Sequence, residues 1–246
     1  MLTTFFGEAN HHLLKINLNR TTFGETHSHN VLESLRHCTE LTELKIAGHN
    51  LAKVGEELYD ILHGMKNLKY LDISDNGYGD FDEEGNDDTS HFPIQKLIMG
   101  STKLEHVNAK GNPLCSEEVE KYIDALHINA SVIKLDLTFN IKIDKSLATR
   151  LKTELGHNKG IRKEIVPFYD PERDPAFINL TNRMISNLIP FEKFMLSWSI
   201  VNVVDLSWNR INDEGLTQLV TFFSKKVRYL KKLNLSSNLF GKKSAL

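Results

Sequence analysis

Residues 201–211 read Val201-Asn202-Val203-Val204-Asp205-Leu206-Ser207-Trp208-Asn209-Arg210-Ile211. Aliphatic side chains hold the first, fourth and sixth places, an asparagine the ninth and an aliphatic the eleventh. Alternation through the fourth and sixth places is the period of a short strand with one face in a core. The asparagine stands where the chain leaves that strand. Its amide both donates and accepts, so it can satisfy backbone groups that no strand ladder reaches.

Working outward, the pattern returns at Leu230, Leu233, Leu235, Asn238 and Phe240, and at Val132, Leu135, Leu137 and Asn140. It returns again at Leu104, Val107, Ala109, Asn112 and Leu114, and at Leu68, Leu71, Ile73, Asn76 and Tyr78. Two earlier copies lack the asparagine: Leu41, Leu44, Ile46 with His49, and Leu13, Ile16, Leu18 with Thr21. Histidine and threonine replace only part of its bonding, so the N-terminal end is expected to be less regular. The first places are 13, 41, 68, 104, 132, 201 and 230, giving steps of 28, 27, 36, 28, 69 and 29. The step of 69 is long enough for a degenerate repeat starting near Ile161 plus further residues. Between strands the apolar spacing is helical, as at Leu216, Leu219, Phe222 and Phe223, with Ser116-Glu117-Glu118 reading as a helix start.

Self-similarity at this period, with strand, turn and helix in each unit, resembles the leucine-rich repeat family, and by length its ribonuclease-inhibitor-like class. The resemblance implies an α/β fold: a curved solenoid, or horseshoe, with a parallel β-sheet on its concave face and helices on its convex face. A single domain over 1–246 is expected, of about eight repeats starting near 13, 41, 68, 104, 132, 161, 201 and 230. Within the family's range, relatives occur as scaffold subunits, innate-immune sensor domains and effectors that bacteria deliver into host cells. Ran GTPase-activating proteins share the repeat class, which makes a GTPase-activating or other regulatory protein the alternative. That alternative needs a rim arginine, and Arg20 and Arg210 are the nearby ones.

Two stretches depart from the repeat. Residues 77–91 carry Asp80, Asp82, Glu83, Glu84, Asp87 and Asp88 with no basic residue. The start resembles a calcium-binding loop, but its twelfth place is His91 rather than glutamate, so a solvated acidic loop is expected. Residues 167–200 hold Pro167, Pro171, Pro175 and Pro190, with Phe177, Leu180, Met184, Ile185, Leu188 and Ile189 at spacing that fits a helix. This Pro-rich apolar insertion is expected to pack over the repeat core. From Gly215 onward there is no acid, against Lys225, Lys226, Arg228, Lys231, Lys232, Lys242 and Lys243. With eight residues after Asn238, an uncapped C-terminal end is expected, open to a larger assembly.

The 246 residues carry 30 basic and 32 acidic side chains, a net charge of −2. No global basic field draws nucleic acid or a membrane surface. Two cysteines, no basic leader and no long apolar span point to a reducing, cytoplasmic setting (the host cytosol for a bacterial effector). Enzyme motifs are lacking, so no catalysis, no cofactor and no metal is expected. Cys115, ahead of a helix, is a weak nucleophile candidate and Cys38 reads as a small buried hydrophobe. His11, His12, His27 and His29 form a loose cluster. Asn19, Asn129, Asn179 and Asn234 match a glycosylation sequence by chance.

A protein–protein interaction scaffold, binding a protein partner through its concave face, remains as the expectation. Tyr70, Asp72, His106, Asp136 and Asp205 lie at the outward places of the strands. The aspartates form a row suited to a basic partner segment. Phe139 and Trp208, each just before the repeat asparagine, are large aromatics on a polar surface, of the type enriched in binding hot spots.

Overall fold

A computed structural model describes residues 12–21, 25–78, 93–140, 143–198, 200–227 and 229–241. The acidic run 80–88, with its calcium-like start, and Lys242 and Lys243 lie outside them. The chain divides into two compact units, residues 1–155 and 156–246, where the sequence pattern alone suggested one domain.

In the first unit, strands β1 (Lys15–Asn17), β2 (Glu43–Lys45), β3 (Tyr70–Asp72), β4 (His106–Asn108) and β5 (Lys134–Asp136) form one parallel sheet in chain order. Register is uniform: Ile16, Leu44, Leu71, Val107 and Leu135 face one another across successive strands and form a buried column. The strands alternate with helices α1 (Glu25–Leu35), α2 (Gly55–Gly64), α3 (Ile94–Gly100) and α4 (Ser116–Ile128), and α5 (Lys145–Glu164), after β5, runs on into the second unit at Gly156. Leu58, Ile61 and Leu62 of α2, and Val119, Tyr122 and Leu126 of α4, close on that column. Burying one such aliphatic side chain contributes about 1.5–3 kcal/mol, so the repeat spacing itself is the main stabiliser. The cap of α4 is Cys115 rather than Ser116; the Glu118 carboxylate turns back to accept the Cys115 amide at 2.8 Å.

In the second unit, β6 (Phe177–Asn179), β7 (Val203–Asp205) and β8 (Lys232–Asn234) form a three-stranded parallel sheet. They alternate with α6 (Ile189–Ser197) and α7 (Asp213–Lys225). Two expectations fail here. Ile161 lies inside α5, and the missing repeat starts at Pro175, with Ile178 and Leu180 in the buried places. The stretch 177–189 is strand followed by an irregular turn, and its helix begins only at Ile189. The reason is local. Leu180, Met184 and Leu188 fall four apart by accident, while Pro175 and Arg183 disguise the first and ninth places of the template. What looked like an insertion is therefore a whole repeat, and Phe191, Phe194 and Met195 of α6 fill its core completely.

The asparagines form the expected ladders. Asn112 donates to the carbonyls of Ile73 and Ala109 and accepts the amides of Asn76 and Tyr78. Asn209 donates to Leu180 and Leu206 and accepts from Arg183 and Ile185. At the N-terminal end, His49 Nε2 meets the Leu18 carbonyl at 2.6 Å and Thr21 bonds the same oxygen.

Candidate functional site

Immediately before the ladder position, every repeat turns through a left-handed residue: Arg20, Gly48, Asp75, Gly111, Phe139, Asn182, Trp208 and Ser237, with φ between 53° and 76°. The geometry lets the amide there donate across to the next coil, as from Gly111 to the Thr138 carbonyl at 3.0 Å and from Trp208 to Ser236 at 2.9 Å. Glycine, asparagine and aspartate accept this conformation readily; for a bulky side chain it costs about 1–2 kcal/mol. Phe139 and Trp208 nevertheless occupy it, and they are 81% and 63% exposed. Strain of this kind concentrates at functional sites.

The two aromatics share a surrounding sequence, Asp-Leu-Thr-Phe-Asn at 136–140 and Asp-Leu-Ser-Trp-Asn at 205–209. In both, the aspartate bridges the turn. Asp136 Oδ1 accepts the Thr138 amide at 3.0 Å and hydroxyl at 2.8 Å. Asp205 Oδ1 accepts the Ser207 amide at 2.9 Å and hydroxyl at 2.6 Å. Burial acts to raise both carboxyls, but these bonds outweigh it and hold them below the ordinary carboxylate range. Lys134 and Lys110 add to the effect at Asp136, and Asn234 and Thr181 at Asp205.

The third aspartate differs. Asp72 is 6% exposed; it accepts from Ser74 and Asn108 through Oδ1 and from Asn19 through Oδ2. Its carboxylate is a strut of the sheet surface more than an open charge. Beside it, Tyr70 lies under the Lys45 ammonium at 5.2 Å and edge-on to His106 at 6.1 Å. Within the first unit, then, Tyr70, Asp72, His106, Asp136 and Phe139 lie on the outward side of neighbouring strands, and Asp205 and Trp208 do so in the second.

The repeat register alone puts Lys45 and Lys110 on the same outward surface, but neither was among the binding residues expected from sequence. Lys110 places its ammonium 4.6 Å from the Phe139 ring centre. The signal was present as the lysine two places before the ladder asparagine of the preceding repeat. Asn179 and Asn234 bridge their turns to the Thr181 and Ser236 amides as the aspartates do. Arg20 is ion-paired with Asp75 at 3.3 Å. His12 and His29 reach Glu40 and Glu57 separately. Among the described residues no three metal-binding side chains gather, and no helix is long and apolar enough to cross a membrane.

A family model described as "Leucine Rich repeat" matches residues 201–220. The actin-binding site 2 of leiomodin-1 superimposes with a TM-score of 0.53 at 11% identity, over 66% of this chain and 90% of that one. A Caenorhabditis elegans tropomodulin C-terminal domain matches at 13% identity over 64% and 91%, with a TM-score of 0.34. An internalin from Listeria monocytogenes matches at 14% identity over 85% and 52%, with a TM-score of 0.30. No curated protein matches the chain. With parallel strands in register and alternating helices, the fold is of the leucine-rich-repeat type and fits its ribonuclease-inhibitor-like class.

Proposed function

We propose that this chain is a non-catalytic protein-recognition module that grips a protein partner on the outward face of its strands. The observation that carries the reading is the pair Phe139 and Trp208. Each is a large ring held in a costly backbone conformation and left in solvent. A fold optimising stability alone places glycine there, as it does at Gly48 and Gly111. Exposed aromatic anchors surrounded by polar side chains are the usual energetic centres of protein interfaces. Tyr70 and His106 extend the surface in the first unit, with Asp136 and Asp205 setting charge beside the rings and Asp72 bracing the sheet beneath. The same fold is named as an actin-binding site in leiomodin-1, so this architecture supports a protein-binding reading without naming this partner.

Affinity capture with the parent and with Phe139→Ala/Trp208→Ala, quantified by mass spectrometry, tests the reading. The variant is expected to lose the main captured protein by at least tenfold while keeping its helical circular dichroism. Equal capture by a folded variant overturns the role of the rings.

A further inference from the structure

The two aromatic turns differ in one respect. In the first unit the place two before the ladder asparagine of the preceding repeat is Lys110, and its ammonium covers the Phe139 ring. In the second unit the same place is Thr181, whose hydroxyl lies 3.4 Å from that of Ser207. Among the described residues no cation lies over the Trp208 ring, and Arg183, next to the equivalent turn of the preceding repeat, sits over Phe168 at 3.7 Å. Around the carboxylates, Asp136 has Lys110 and Lys134 nearby, whereas Asp205 accepts from Ser207 and Asn234. The second unit thus keeps the ring and the carboxylate but leaves out the cation that completes the arrangement in the first.

We infer that the Trp208 ring and the Asp205 carboxylate receive a single arginine or lysine side chain of the protein partner, which takes over Trp208 the place Lys110 takes over Phe139. Tryptophan offers the strongest ring field for a cation, and a carboxylate beside it adds direct attraction. This inference rests on the protein-binding reading above and specifies what the partner presents.

The test uses the intact chain and two short peptides, acetyl-Gly-Arg-Gly-amide and the same peptide with neutral citrulline for arginine. The chain has two tryptophans, and Trp198 is stacked on Phe194 at 4.6 Å, so quenching is assigned by mutation. The arginine peptide is expected to quench saturably, the citrulline peptide several-fold less effectively, and Trp208→Ala to abolish the response. Thr181→Lys keeps the ring but supplies an internal cation, and should raise the half-saturating concentration by about two- to fivefold. Equal quenching by both peptides, or a response that survives Trp208→Ala, overturns the inference. If the peptide is inert while ring-dependent partner capture persists, only this inference falls. If capture ignores both rings, the protein-binding reading falls as well.

Discussion

A β-carbon added to Gly111 would lie 2.1 Å from the Asp75 carboxylate oxygen. The row of left-handed residues in the first unit therefore alternates: Arg20 covers Gly48 and pairs with Asp75, Asp75 covers Gly111, and Phe139 follows. Gly111→Ala, which meets both the contact and a φ of 65°, should destabilise by about 1–2 kcal/mol. Gly156→Ala, mid-helix in α5 with nothing near its β-carbon, should stabilise by about 0.5–1 kcal/mol. Urea unfolding of the two variants checks the opposite signs.

Asn209 is buried and serves five backbone groups, whereas its equivalent Asn238 is half-buried beside the last described strand. Asn209→Leu strands buried amides and carbonyls and should cost about 2–4 kcal/mol. At Asn238→Leu water can take over, and the loss should be less than half as large. Equal losses in denaturant midpoints would contradict the ladder as a stabilising device.

Phe139 contributes a ring that the fold does not need. Phe139→Asn installs the residue type that already adopts this turn at Asn182, so stability should stay within about 1 kcal/mol of the parent while partner capture drops. A loss of several kcal/mol, read by thermal unfolding, would make the ring structural instead.

Glu192 supplies the pH dependence. Burial raises its carboxyl above the ordinary range, with the Gln218 side chain opposing, and its Oε1 is buried without a hydrogen-bond partner. A folded-state value above the unfolded one means that the folded chain holds the proton more tightly. The contribution is thus favourable below the unfolded carboxylate range and lost as pH rises through the raised folded value. Glu192→Gln should be more stable than the parent at neutral pH, with the advantage vanishing near pH 4 or below. Midpoints measured across that interval decide it.

The buried places were legible because aliphatic residues recur with a fixed period, and a period of this kind has one structural solution. Leu71, Val107 and Leu135 stand in one column as the spacing requires. The sixth repeat was illegible because proline and arginine replaced its first and ninth residues. There the fold is kept by a backbone turn at Asn182 and by hydrogen bonds that Asn209 lends from the next coil. Phe139 and Trp208 could be picked out as exposed aromatics, but their strained turn belongs to the backbone and not to composition. The asymmetry between Lys110 and Thr181 needed register across two strands before it had meaning.

Hydroxyl-radical footprinting of the chain with its captured partner, resolved to individual side chains, tests the central claim most directly. Phe139 and Trp208 should oxidise rapidly in the free chain and be protected several-fold in the complex. Met99, 55% exposed at the end of α3, should oxidise at the same rate in both. Protection of Met99 with both rings still reactive would move the binding surface to the helices and contradict the account.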